Sequence, residues 1–490
     1  MYNLYYICMR NRFVMFIRCM DAQITNNFRE AEIYTRPAQG NGLWTCALLP
    51  AILIFYDNIY KVSPLYKLIT CVSIGLLAHS ILYLLFFYVS CLVLRDTLNA
   101  GCFSAAFLSA LPIYLKLEQS LVVAIALPLM AIYIFTFFLK LALVKCPKTF
   151  TIGEAMLVSQ GMSLIIVTMI ARVVLGSYYP DYAETDATMH LINTYVFTVF
   201  STVGLLVAVL YNLEEYNRTF DKLVFIISLA LLYTLIVLHV SYGYNCIPAF
   251  VYFIFGNSVR VRLFCFWLAL VLLSVFIIVV RTRKGDRANT VTRKVFHLLA
   301  TLVFISGILL DVYFMTLAAG LIFCVLILIE AIRKSKINPV SPFLQYAFDI
   351  YKDHKDSGNF AMTAIYLYVG LACPLVIVPR EAKNPELELL SGVLAIGIGD
   401  TAASWFGEKY GTMKWPDGNR TMEGTAFNVL AQMVAIYMLN IFDLLDSPYM
   451  YIRTAIAATV SALVEARTTQ VDNLVLPLVT ILAFQSTTIL

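Results

Sequence analysis

AIGIGDTAASWFGEKYGTMKWPDGNRTMEGTAFNV, residues Ala395–Val429, packs four carboxylates, three basic side chains and six glycines into one interval between two apolar runs. The setting of that interval decides the fold. Of the 490 residues, 61% are hydrophobic and 13% charged, whereas a soluble globular domain carries roughly 25% charged residues. Runs of such composition are stable as helices in lipid, where each backbone polar group must be paired within its own segment. The chain therefore reads as an all-α, polytopic transmembrane helical protein with about 13–15 spans. The quoted stretch is then a polar site at a membrane edge.

Within the stretch, Gly397 and Gly399 are expected to end an apolar helix where the backbone turns or approaches a ligand closely, with Asp400 and Thr401 capping the segment after it. Amide N–H groups beside a carboxylate suit a phosphate and its divalent cation, because amides bind phosphate oxygens and an acid binds the metal. Lys409, Lys414 and Arg420 supply positive charge for a triphosphate, and Trp415 offers a flat face on which a base stacks. Thr421, Glu423, Gly424 and Thr425 repeat the pattern of hydroxyl, acid and glycine before the next apolar run. Composition alone also allows a solvated loop whose glycines merely permit turns.

Working outward, residues 1–42 hold Arg10, Arg12, Arg18, Arg29 and Arg36 around short apolar pieces and are expected to be a cytosolic N-terminal tail. Residues 43–280 hold about eight apolar runs, and residues 281–490 hold the remainder. Short cytosolic loops collect Lys and Arg. Arg281, Arg283, Lys284, Arg287, Arg293 and Lys294 fill one loop; Arg333, Lys334, Lys336, Lys352 and Lys355 fill another. Counting spans onward places Gly399–Gly424 and Glu465–Asn473 on the same side, so four polar stretches converge on one face of the C-terminal half. By the same count the acceptor patterns Asn217-Arg218-Thr219 and Asn419-Arg420-Thr421 face the cytosol and carry no glycan. The net charge of +5 comes without a dense basic tract, which excludes nucleic acid as a partner, and the eleven cysteines lie singly, without a C-x-x-C pair.

Three further groups stand at helix ends. Arg293 and His297 share a helix face beside Lys294, a pattern that an ordinary interfacial anchor also produces. Asp356 sits in a loop of alternating charge, where solvation alone is a sufficient reading. Glu465, Asp472 and Asn473 lie between two apolar segments, and acids next to a bilayer need partners.

The ordered motifs GDTAASWFGEKYG, KWP and RTMEGT resemble the nucleotide-binding region of the dolichol kinases, CTP-dependent polyprenol kinases of the endoplasmic reticulum, and more loosely the phytol and diacylglycerol kinases that use CTP. The family pattern has two adjacent lysines where this chain has Asn419 and Arg420. The RK-x-x-H segment at Arg293–His297 and the Lys355-Asp356-x-Gly358 spacing are similar to the family as well. The resemblance implies a multi-pass membrane protein of the endoplasmic reticulum. Its partners are CTP, dolichol or a related polyisoprenoid alcohol, and membrane lipid. It implies a CTP-binding loop over residues 399–425 and a divalent cation, magnesium or calcium. Asp400, Glu423 and Asp472 are then the expected catalytic and metal-binding acids; Gly399, Thr401, Lys409, Lys414, Trp415, Arg420, Thr421, Gly424 and Thr425 the expected CTP-binding residues. Arg293, Lys294, His297, Asp356, Glu465 and Asn473 are the supporting candidates.

No G-x-x-x-x-G-K-[ST] loop and no paired HRD and DFG signatures occur, so neither a P-loop NTPase nor a protein kinase fits. A cytidylyltransferase or another CTP-dependent lipid kinase would share the site and change the acceptor. A transporter would instead spread its charges along a midplane pathway and repeat itself between halves; here the acids cluster at one edge.

Overall fold

A computed structural model of the chain describes residues 2–94, 100–182, 184, 186–284, 290–352, 358, 360–416, 418 and 420–488. Helices account for the architecture, and among the described residues there is no β-strand beyond one isolated bridge, Lys414 with Thr421. Among those residues, nine helices are long and apolar enough to cross a membrane, and five shorter apolar helices of 10–17 residues accompany them. The chain divides into two compact units: Met1–Ala183 with Ser357–Phe360 and Thr469–Val471, and the rest.

The first unit is built from α1 (Tyr2–Glu30), α2 (Leu48–Ile59), α3 (Pro64–Val89), α4 (Ala100–Lys116), α5 (Leu121–Lys140) and α6 (Ile152–Tyr178). Residues expected as a tail thus form a 29-residue helix, with Ile24 and Phe28 buried and the Phe28 ring edge-on to Phe87 at 4.9 Å. Helices in lipid gain little from burying apolar surface, so packing and interhelical hydrogen bonds hold them together. Here His79 on α3 meets the Thr136 hydroxyl on α5 at 3.3 Å, and Gln160 on α6 donates to Ser80 Oγ and Cys46 O, each at 3.0 Å.

The second unit runs α7 (Ala187–Tyr211), α8 (Phe220–Tyr242), α9 (Cys246–Phe255), α10 (Ser258–Lys284), α11 (Thr290–Leu310), α12 (Val312–Lys334), α13 (Val340–Tyr351), α14 (Met362–Ile377), α15 (Glu386–Leu389), α16 (Thr401–Tyr410), α17 (Met422–Ile441), α18 (Met450–Arg467) and α19 (Asp472–Ser486). Only 11% of the apolar window of α8, and of α10, is buried, so these two helices leave their sides to lipid. The apolar run after α8 breaks at Gly243, whose φ of 97° an L side chain rarely adopts, and restarts as the short α9.

The centre of this unit is a wide, π-helical segment, Val393–Asp400, in which all residues but Ile398 are buried. It overturns the expected turn at Gly397 and Gly399. Asp400 has helical angles (φ −63°, ψ −33°) and caps nothing; the chain runs through it directly into α16. The glycines serve close packing instead. A Cβ on Gly397 would stand 2.1 Å from Thr301 Oγ1 of α11, and one on Gly399 would stand 2.4 Å from Asn428 Oδ1 of α17. Local widening of this kind is frequent at functional sites because it re-aims a side chain without ending the helix.

Candidate active site

Asp400 leaves the π-helical segment at its last residue and is buried. Lys294, in the first part of α11, reaches its carboxylate with Nζ 2.5 Å from Oδ2. The helical register that puts Lys294 there also turns His297 inward, where its Nδ1 lies 3.1 Å from the Arg293 carbonyl. His297 is thus engaged with its own helix, and Arg293 is half-buried beside it.

Arg420 ends the loop between α16 and α17. Its guanidinium forks across two acids from different helices: Nη1 to Glu465 Oε1 at 3.1 Å and Nη2 to Asp472 Oδ1 at 3.0 Å. It also donates to the Glu465 carbonyl. Burial works against the Arg420 charge, but Asp472 and Glu465 outweigh it and hold the guanidinium protonated above its ordinary range. Burial and the neighbouring Asp400 push the Glu465 carboxyl up to about 8, with Arg420 opposing. Glu465 therefore feels Asp400, Asp472, Arg420 and Lys294 at once, which makes one cluster of residues 294, 400, 420, 465 and 472.

Two residues that the sequence reading passed over complete it. Asn428 on α17 donates to Glu465 Oε2, and Gln432, one turn on, donates to Asn428 Oδ1 at 2.6 Å; both are fully buried. Their signal was present: Thr421, Thr425, Asn428 and Gln432 make a polar stripe at helical spacing along an otherwise apolar helix. Asn473 is buried next to Asp472, and its carbonyl packs on Gly370 of α14, where a Cβ would approach it to 1.9 Å.

The rest of the KWP–EGT region forms a small hairpin above this cluster. Trp415 N–H bonds the Arg420 carbonyl at 2.9 Å, and Met422 N–H bonds the Met413 carbonyl at 2.8 Å. Glu423 is engaged by the hairpin: its carboxylate accepts from Thr412 N and Met413 N at 3.1 Å and from the Thr412 hydroxyl at 2.5 Å. Thr421 caps α17 by accepting from Gly424 N at 3.2 Å. Gly424 lets α16 and α17 touch, since a Cβ there would lie 2.9 Å from Ala403 O. The Trp415 indole N–H donates to Thr425 Oγ1 at 2.9 Å, and Arg467, also unforeseen, stands 5.7 Å from the ring centre. Thr401 bonds back to Ile396 O at 3.4 Å. Lys409 and Lys414 are exposed on the hairpin side, Lys409 against Tyr410. Asp356 lies outside the described residues.

Among the described residues no three His, Cys, Asp or Glu side chains stand together as a ready metal centre. The acids of the cluster are neutralised by Lys294 and Arg420 instead. Three acids against two long cationic side chains form a polar, charge-dense cluster, suited to an anionic group that draws the cations and to a hard cation that replaces them.

Comparison with known proteins points the same way. The family model described as Dolichol kinase matches residues 71–415. Dolichol kinase of Homo sapiens is 30% identical over 361 residues, covering 70% of this chain and 66% of its own length. That of Bos taurus is 30% identical over 366 residues, with 71% and 67% covered. A plant relative, Dolichol kinase EVAN of Arabidopsis thaliana, is 32% identical over 236 residues, covering 46% of this chain and 41% of its own. No solved structure matches.

Proposed function

The chain belongs to the dolichol kinase family and phosphorylates dolichol, and from that premise we propose that CTP is its donor and that transfer occurs at the cytosolic edge of the endoplasmic reticulum membrane. The observation that carries this reading is the Arg420 fork across Glu465 and Asp472, beside the Lys294–Asp400 pair. It joins residues from three of the four polar stretches that the loop charges put on one side of the bilayer. The acceptor alcohol is buried in lipid and the donor is in water, so a polar pocket at a helix edge is where both can meet.

The reaction forms a bond from the alcohol oxygen to the γ-phosphorus of CTP and breaks the bond from that phosphorus to the β–γ bridging oxygen, releasing CDP. Such transfer depends mainly on positioning and charge neutralisation. Asp400 takes the hydroxyl proton, and Lys294 keeps its carboxylate aimed. Arg420 turns from the two acids to the phosphate oxygens, with Lys409 and Lys414 meeting the outer phosphates. Trp415, with Arg467 against its ring, holds the base. The oxygen donors Glu465 and Asp472 fit a hard divalent cation once Arg420 leaves them. Such a cation supplies charge neutralisation at the donor phosphates. Glu423 serves the hairpin instead, keeping Thr412–Met413 and Trp415 in register.

The test is transfer of label from γ-labelled CTP, and separately from γ-labelled ATP, to dolichol by membranes containing this chain. Label in dolichyl phosphate from CTP alone supports the reading; equal transfer from ATP, or transfer from CTP only to diacylglycerol or phytol, overturns it.

A further inference from the structure

The chain between Glu465 and Asp472 holds a three-residue link, Thr469–Val471, that is part of the first compact unit, although the residues on either side of it are part of the second. In the first unit the link is held by a buried polar clamp. Arg36, in the segment between α1 and α2, and Glu154, in the first turn of α6, form an ion pair with Nη2 2.5 Å from Oε1 and side chains 4% and 0% exposed. Glu154 spends its other capacity on backbone: Oε2 accepts from Thr151 N at 2.9 Å, and Oε1 accepts from Val471 N at 2.7 Å. Arg36 Nη2 donates to the Thr469 carbonyl at 3.2 Å. Between these two, Gln470 donates to the Gly40 carbonyl at 2.9 Å and accepts from the Thr151 hydroxyl at 2.5 Å. Gly42, at a φ of 65°, makes room for it: a Cβ there would lie 2.3 Å from Gln470 Oε1.

A buried ion pair is a poor device for stability, because desolvation offsets its attraction, and apolar side chains of the same volume serve as well or better. An ion pair offers direction instead. This one spends its hydrogen bonds on Thr469 and Val471, and Val471 is joined by a peptide bond to Asp472. We propose that Arg36, Glu154 and Gln470 are positioning residues for phosphoryl transfer: by fixing the Thr469–Val471 link they set where Asp472 stands, and with it the Arg420 guanidinium that receives the nucleotide phosphates. The inference rests on the assignment of Asp472 and Arg420 to the nucleotide pocket. It gives the N-terminal part of the chain a role in the chemistry, through backbone geometry rather than through any side chain that touches substrate.

The experiment is steady-state dolichol phosphorylation by the full-length chain, purified in detergent as a monodisperse species, with CTP and dolichol varied separately. Gln470→Ala removes two hydrogen bonds to the link's surroundings, and Arg36→Lys keeps the charge while losing the fork. Losing about 1 kcal/mol of positioning corresponds to roughly fivefold. Each variant is expected to raise the half-saturating CTP concentration by about that factor while leaving that for dolichol unchanged, and Gln470→Glu, which keeps a side-chain oxygen for the Thr151 hydroxyl, to fall between Gln470→Ala and the parent. A loss of folded enzyme would lower the rate and leave both half-saturations alone; that result, in variants that remain monodisperse, overturns the clamp. Arg420→Ala in the same series separates the premises: if it binds CTP as the parent does, the pocket assignment itself fails, whereas a defect confined to Arg420→Ala rejects only the clamp.

Discussion

Lys294 illustrates how much one side chain carries at this site. Its ammonium is the partner of a buried aspartate at 2.5 Å, and removing one member of such a pair leaves the other charge buried without compensation, a cost of about 3 kcal/mol. Lys294→Met is therefore expected to lower the melting temperature and to reduce transfer by at least a hundredfold, because Asp400 is then no longer held as a base. Thermal unfolding in detergent beside a rate measurement checks both; unchanged transfer would remove Lys294 from the pocket. All five charged residues of the cluster were candidates from the sequence: Asp400 and Arg420 from the glycine-rich stretch, Glu465 and Asp472 as acids beside a bilayer that need partners, and Lys294 through the family resemblance. The sequence did not say who pairs with whom. Arg420 finds acids 45 and 52 residues away, although Glu423 is only three positions from it in sequence. The hairpin consumes Glu423 instead.

Among the elements, the π-helical segment does most to shape the pocket, and it is also where local reading failed. Gly397 and Gly399 satisfy every local rule for a turn, yet in a membrane bundle small residues more often mark where helices approach closely, and that requirement prevails here. Gly399→Ala places a methyl group 2.4 Å from Asn428 Oδ1 and 2.7 Å from Gln432 Nε2. Overpacking of this sort costs typically 1–3 kcal/mol, about 2 here, and it pushes Asn428 away from Glu465. The expected outcome is a clear loss of both stability and transfer. Gly161→Ala on α6, where a Cβ meets nothing within 4 Å, is the matched control and is expected to be neutral or stabilising by roughly 0.5–1 kcal/mol. Equal effects of the two substitutions, read by thermal unfolding, would show that the close approach at Gly399 does not matter. The polar stripe of α17, by contrast, was readable from its spacing alone.

For the whole molecule, composition was enough to read an all-helical protein with membrane-spanning helices, and loop charge grouped three stretches, around Lys294, Asp400–Arg420 and Glu465–Asp472, that do meet in one cluster. The reason is physical: lipid forces helices, and the asymmetry of Lys and Arg orders their ends. The division into two units was not readable, because Thr469–Val471 is joined to the first by hydrogen bonds to Gly40, Thr151 and Glu154 that lie more than 300 positions away. The proposed cytosolic orientation predicts that Asn217 and Asn419 stay unmodified in cells despite their acceptor patterns; a glycosidase-sensitive mobility shift abolished by changing either asparagine would reverse it. The central claim is that Asp400, held by Lys294, does the chemistry at this pocket. Its most direct test is the single-turnover rate of phosphate transfer from CTP to dolichol by Asp400→Asn, purified alongside the parent and shown to be equally folded. The account predicts a loss of at least a thousandfold, in the range that removing a general base produces; a rate within a few fold of the parent would contradict it.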